Sequence, residues 1–447
     1  MTKILGQSIF QWIHHKPNHF LLICGGITLT MYITLSWFSH SFTEMPLTLF
    51  IVLMIFCGII WGFCCYLATI RQVCFSLPIV LGFALIFRIA GFYTVPFFED
   101  DFYRYLWDGY QFATVGSPYL YSPENLFDLP TLTENLQNIL YQVNYPELKT
   151  IYGPINQYIF KLAYLLGNGD LWALKLCLIA FDLACLFCLW LWIPQHKLIV
   201  FAWCPLLIKE VSMTLHADII CIFFVTFALF CLHKRYLMLS ATALSLAVCA
   251  KITALILLPF FLIQRPLLQA SIFISCVGLI YAPFLTNSLA GFESTAIFAK
   301  DWQFNSMMVG FLSLIVSTEM ARGLSLLIFM SFYGWIWYYW FINYRHSNQI
   351  NMIPGDQIFG LFLFCSPVIN AWYLLWLFPF IALRFSWWSI AAITIIPLSY
   401  ITGDTLLDSS LSAFQQPDWV RMVEFLVILV AINYDRILKK KLYLDYI

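Results

Sequence analysis

The chain has 447 residues, 62% of them hydrophobic and only 10% charged, with Lys plus Arg and Asp plus Glu balanced at 23 each. Soluble domains carry roughly a quarter charged residues, which excludes an ordinary globular protein. Zero net charge supplies no general basic field for nucleic acid, and none is expected as a partner.

Taken in order, the first apolar run extends from Phe20 to Phe38, behind Lys3, His14, His15 and Lys16. No small-residue cleavage site follows it, so it reads as a retained first helix rather than a removed signal. Further runs cover Pro46 to Ile70, Leu171 to Ile193 and Gly323 to Phe341. Each approaches the roughly 20 residues that carry a helix across hydrocarbon. They are too long and too evenly apolar for barrel strands, which alternate over roughly ten residues. The predicted fold is all-α: a polytopic transmembrane bundle of roughly 13 or 14 segments, some short or broken. Leu198 to Ile208 and Ile252 to Ile263 are such short elements, of the kind that border a protein-lined cavity. No repeat, low-complexity tract or linker divides the sequence, so a single membrane-embedded domain over 1–447 is expected.

Basic residues in short loops set orientation. Lys3, Lys16, Arg71, His196, Lys197, His233 to Arg235, Arg265, Arg345, His346, Arg384 and Arg436 to Lys441 share one face if the spans alternate. That face, with both termini, is expected to be cytoplasmic in a plasma (inner) membrane. The outer, periplasmic or extracellular, face then receives Thr94 to Thr150, Lys209 to Asp218, Leu289 to Met308, Ala371 to Tyr373 and Gly403 to Asp418. The fourteen cysteines lie in or beside apolar runs. Disulfides are therefore not expected, and Cys185 with Cys188 reads as two small buried residues.

The first large outer loop, Thr94 to Thr150, contains FFEDDFYRYLWDGYQFATVGSPYLYSPEN from Phe97 onward. Glu99, Asp100 and Asp101 stand where a helix would start. Asp100, Arg104 and Asp108 are spaced by four, and Asp101, Tyr105 and Asp108 share a face. Phe102, Leu106, Trp107 and Phe112 give that helix an apolar side, which predicts a juxtamembrane helix lying on the bilayer. Three acids can merely complement a helix dipole, and Asp100 with Arg104 can be a surface pair. In a chain so poor in charge, like charges clustered directly after a span point instead to a functional carboxylate. Such a group can take the proton of an acceptor hydroxyl as it attacks the anomeric carbon of a lipid-carried sugar. A nearby cation would offset charge on the lipid phosphate, a task suited to Arg104 or to cations recruited from elsewhere.

The stretch CPLLIKEVSMTLHADII offers Lys209, Glu210, His216 and Asp218. Lys209 and His216 would share a helical face, as would Thr214 and Asp218. Lys251 sits at the joint of a short hairpin. These are candidate phosphate or sugar-hydroxyl ligands, with internal salt bridging of Lys209 as the alternative. Zinc is not expected, because no second well-spaced His or Cys pair accompanies His216 and Asp218. Trp302, Asn305, Asn370, Trp372 and Tyr373 stand at outer helix ends, as interface-belt aromatics or as sugar-stacking surfaces.

In order along the chain, EDDFYRYLWDG, GSPYLYSP, NYPELKTIYGPINQ, PLLIKE with His216 and Asp218, DWQFN, and SPV with WYLLWLFP resemble bacterial polyprenol-phosphate-sugar-dependent mannosyltransferases of the GT-C superfamily. More distantly they resemble the GPI mannosyltransferase I catalytic subunit. The resemblance extends from about Phe97 to Phe380. It implies inverting transfer of a hexose, mannose, from a polyprenyl phosphate to a lipid or glycan acceptor at the outer face. It also implies an essential acidic pair in the first outer loop, usually Asp-x-Asp. Here Glu99 and Asp101 form the spaced pair, with Asp100 between them, and Asp101 is the favoured base, then Asp100. The usual Tyr-Pro-Pro is altered here to Tyr152, Gly153 and Pro154, a departure that bears on substrate details, and Tyr152 is carried over as a candidate substrate contact. A divalent metal is required in some members, and Glu99 with Asp101 offers hard oxygens suited to Mg²⁺ or Mn²⁺. The competing class is a transporter or flippase of lipid-linked sugars, which would place polar groups at the bilayer midplane within inverted repeats.

Overall fold

The computed structural model describes residues 11–41, 44–130, 132–285, 291–347 and 353–444. Lys3 and Leu289 lie outside them, as do the side chains of His346 and of residues 439–441. Among the described residues there is no strand, only an isolated bridge between Phe304 and Val368. The all-α fold expected from the apolar runs is what forms. Among the described residues, five helices are long and apolar enough to cross a membrane: Pro17–Ser41, Leu47–Thr69, Leu171–Trp190, Pro266–Phe284 and Thr318–Arg345.

Seven shorter apolar helices accompany these five among the described residues. Their shortness has local causes. After Ile199–Ala202 the chain breaks at Trp203 and Cys204, resumes as Pro205–Leu207, and widens into a π-helical turn over Ile208–Met213. Ile252–Leu257 winds as a 3-10 helix before Pro259 opens Leu258–Phe261. The first element is interrupted just before Pro205, and the second passes from 3-10 to α winding at Pro259.

The structure resolves into two compact units. The first comprises Met1–Phe97, Leu189–Met213 and Ile381–Ile447. Inside it, the broken segment leaves carbonyls without helical partners, and in an apolar setting these must be satisfied by side chains. The buried Arg88 donates to Ala202 O at 3.0 Å, and Trp61 Nε1 donates to Val200 O at 3.1 Å.

The second unit comprises Phe98–Cys188 and Thr214–Phe380. Its helix Asp101–Val115 packs along Pro154–Gly167. Gly109 permits this, because a Cβ there would collide with the Phe160 carbonyl. Phe102, Leu106, Trp107 and Phe112 are all buried in this packing. The expectation that this face lies on lipid is thus corrected: its four apolar side chains are buried within the protein. No disulfide joins any of the fourteen cysteines, and Cys185 lies 3.2 Å from the Thr226 hydroxyl.

Candidate functional site

The acidic motif opens on a strained turn. Phe98 adopts φ 61, a left-handed conformation costly for a side chain with a Cβ, and it sets Glu99 and Asp100 ahead of the helix beginning at Asp101. Asp101 Oδ2 accepts a hydrogen bond from the Tyr152 phenol at 3.0 Å and a longer one from Tyr105 at 3.5 Å. Tyr105 is stacked on Phe160 at 4.6 Å and packed edge-on to Tyr152 at 4.8 Å. Burial pushes the Tyr105 phenol well above its ordinary range, and the Asp101 and Asp218 carboxylates push it the same way. Burial and the Asp101 charge do the same to Tyr152. Both phenols therefore stay neutral and remain donors, fixing one carboxylate oxygen.

Asp100 is pushed up to about 6, by burial first and then by the Asp101 charge, against a lowering hydrogen bond from Asn144. Asp108 is also pushed up to about 6 by burial, against the pull of Arg104, Gln157 and Thr150. Gln157 Nε2 donates to Asp108 Oδ2 at 2.8 Å and to Thr150 Oγ1 at 2.9 Å. The other oxygen, Asp108 Oδ1, is buried with no hydrogen-bond partner among the described residues. Arg104 is occupied differently from the phosphate role expected of it. Its guanidinium donates to the carbonyls of Leu148 at 3.0 Å, Tyr145 at 3.1 Å and Asn144 at 3.3 Å, so it clamps a loop.

A second cluster in the same unit starts at another left-handed residue, Leu215, with φ 65. His216 stacks on Trp372 with centroids 3.8 Å apart, and its Nε2 lies 3.8 Å from Glu99 Oε2. Asp218 begins the helix Asp218–His233. Its Oδ1 accepts from both Lys251 Nζ and Trp376 Nε1, each at 2.6 Å. Lys251 caps the C-terminus of Leu237–Ala250, where the helix dipole favours a cation. Its ammonium lies 4.6 Å from the Tyr373 ring centroid and 5.0 Å from that of Trp376, and its side chain is 22% exposed.

Glu99, Asp100, Asp101, Tyr152, His216, Asp218, Lys251, Trp372 and Tyr373 therefore converge within the second unit. Trp302 lies in that unit too, packed edge-on against Tyr145 at 4.7 Å. Asn305 is 4% exposed and left-handed at φ 46, so it serves a tight turn. Lys209 and Glu210 are placed otherwise. They belong to the first unit, in the π-helical turn, with both side chains fully buried and 3.1 Å apart. Tyr400 completes the group by accepting from Lys209 and donating to Glu210 at 3.0 Å. The face expected to be shared by Lys209 and His216 does not form, because the helical winding stops at Met213. Thr214 and Asp218 are separated by the same break.

Trp376, Gln157 and Thr150 also belong to these clusters, although the sequence marks them only weakly. Trp376 follows Tyr373 by three, and Gln157 is a rare amide in an apolar helix, which are the only signals they give. Glu99 contacts His216 and Asp101 accepts from phenols, and among the described residues no group of three or more His, Cys, Asp or Glu is arranged to hold a metal. Glu99 and Asp101 remain the hard oxygen donors that could share Mg²⁺ or Mn²⁺ with a substrate phosphate.

No curated protein and no solved structure matches the chain. Residues 24–265, more than half of it, match the family described as alpha-(1→6)-mannopyranosyltransferase, N-terminal domain. The matched stretch reaches from the first membrane helix past Lys251. The chain therefore belongs to the alpha-(1→6)-mannopyranosyltransferase family and is a membrane glycosyltransferase that transfers mannose.

Proposed function

We propose that the chain transfers mannose, with inversion, from a polyprenyl phosphate to a glycan or lipid acceptor at the outer face of the plasma membrane, with both termini cytoplasmic. The observation that carries this reading is the pairing, within one unit, of a carboxylate fixed by two phenols with a lysine held against aromatic rings. The acceptor hydroxyl oxygen attacks the anomeric carbon and gives its proton to Asp101. The bond from that carbon to the phosphate oxygen breaks, and its electron pair leaves with the polyprenyl phosphate. Lys251 offsets the charge gathering on that phosphate. Asp218 and Trp376 hold the ammonium in place, while the other donors of Lys251 remain for the phosphate.

Tyr152 and Tyr105 leave one Asp101 oxygen for the acceptor. Asp100 and Glu99 keep the site negative, which favours a proton acceptor, while His216 and Trp372 hold Glu99 and offer a ring to the sugar. Asp108 and Arg104 support the helix and the adjoining loop. Outer placement is supported by the basic residues of the intervening short loops. An apolar donor tail also suits a protein whose spans lie in lipid.

The test uses purified protein in liposomes with an octyl α-1,6-mannobioside acceptor and radiolabelled mannose, supplied either as polyprenyl-phosphate-mannose or as GDP-mannose. Label should reach the acceptor from the lipid donor alone. Transfer from GDP-mannose would overturn the donor assignment, and movement of lipid donor between leaflets without transfer would favour the flippase reading.

A further inference from the structure

Beside the acidic motif lies an aromatic corner that the transfer mechanism does not use. Tyr145 and Trp302 meet edge to face, with centroids 4.7 Å apart and planes at 71°. The indole also hydrogen-bonds the Tyr145 phenol. Both rings retain exposure, 38% for Tyr145. Residues 157 positions apart are thus brought together as an L-shaped, partly open surface.

Three further observations separate this corner from ordinary packing. Tyr145 is left-handed at φ 49, a conformation unfavourable for a bulky residue. That strain is sustained by the Arg104 clamp on the carbonyls of Asn144, Tyr145 and Leu148. Arg322 does the equivalent on the other side, donating to the Trp302 carbonyl at 2.9 Å and to those of Ala299 and Lys300. Two guanidiniums thus hold two backbone segments so that their rings meet. Strain maintained by dedicated contacts is a signature of functional loops. Finally, the residue before Tyr145 is Asn144, whose side chain hydrogen-bonds Asp100. The corner therefore adjoins a carboxylate and an amide.

We infer that the Tyr145–Trp302 corner is a subsite for a pyranose of the acceptor glycan, with one sugar face stacked on a ring and its hydroxyls within reach of Asn144 and Asp100. Weakly polar C–H faces of a sugar pack on aromatic rings, and its rim of hydroxyls needs acceptors and donors such as these. A belt aromatic at the lipid interface would need neither the strained backbone nor the adjoining carboxylate. The inference rests on the reading of transfer to a glycan acceptor, and it makes the acceptor's sugar, rather than its lipid, the recognised part.

The test measures KM separately for the octyl mannobioside and for polyprenyl-phosphate-mannose. Tyr145→Ala and Trp302→Ala should each raise KM for the mannobioside about threefold to tenfold, the range expected for one aromatic contact. The donor KM and kcat should stay near native. Tyr145→Phe and Trp302→Phe keep a ring and should recover most of the acceptor affinity lost in the alanine variants, which guards against mistaking a misfolded loop for a lost subsite. Unchanged acceptor KM in both alanine variants would overturn the subsite, as would an equal rise in both KM values. If the native chain transfers no mannose at all, the enzymatic reading itself fails and the subsite falls with it.

Discussion

The chain carries two groups of charges in apolar surroundings, and they are organised in opposite ways. In the first unit, Lys209, Glu210 and Tyr400 close on one another with Lys209 and Glu210 fully buried. In the second, Asp101 is held on one oxygen only, and Lys251 lies partly exposed over aromatic rings. Burying charge is costly in both places, so each group needs a reason to persist. The first reads as internal pairing that holds a π-helical turn. The second retains capacity for a ligand. Unspent hydrogen-bonding capacity with a route to solvent marks a site better than charge alone does.

Breaking the second group should have the largest effect on chemistry. Asp101→Asn keeps an acceptor oxygen for the phenols but removes the base, and should lower radiolabelled mannose transfer about 100-fold or more. Breaking the first group should act on the fold. Glu210→Gln removes the carboxylate charge 3.1 Å from the buried Lys209 ammonium, and loss of one partner of a buried pair costs roughly 3–5 kcal/mol. A lowered unfolding temperature in detergent is the expected result. Lys251→Met preserves the apolar stem and removes the ammonium, so KM for polyprenyl-phosphate-mannose should rise roughly tenfold, the worth of one charge-assisted contact. A rise in acceptor KM alone would move Lys251 out of the phosphate role.

The smallest effects concern pH. Asp100 and Asp108 are both held at about 6 in the fold, above the ordinary value of 3.8. Between about 4 and 6 the folded chain keeps protons that the unfolded chain has lost, so stability is present below that window and is lost as pH rises through it. Asp108→Asn should flatten the fall in unfolding temperature between about pH 4 and 6. For transfer, an acid limb near pH 6 is expected from Asp100 ionisation, and Asp100→Asn should remove that limb. A limb unchanged in the variant would assign it to another group.

Much of this was legible in the sequence, and the rest was lost for identifiable reasons. The spans and their breaks follow from apolar length and proline, and the helix at Asp101 follows from the acidic start before alternating apolar and polar faces. The acids, Tyr152, His216, Asp218 and Lys251 stood out because charged or motif-bearing residues are scarce here. Helical spacing misled where it was carried across Leu215, whose left-handed backbone no periodicity signals; this wrongly joined Lys209 to His216. Arg104 was read as a phosphate ligand because a guanidinium suits phosphate, but it also suits carbonyls, and only the fold shows which it meets. Trp376, Gln157 and the Tyr145 pairing with Trp302 arise from contacts between distant segments. In a chain rich in Trp and Tyr, composition gives no reason to choose among them.

The most direct measurement is single-turnover transfer of radiolabelled mannose from polyprenyl-phosphate-mannose, normalised to folded protein, for the native chain, Asp101→Asn and Glu210→Gln side by side. The account predicts that Asp101→Asn folds and fails to transfer, whereas Glu210→Gln yields less folded protein that transfers at the native rate. Native-like transfer by Asp101→Asn, or loss of transfer in well-folded Glu210→Gln, would contradict it.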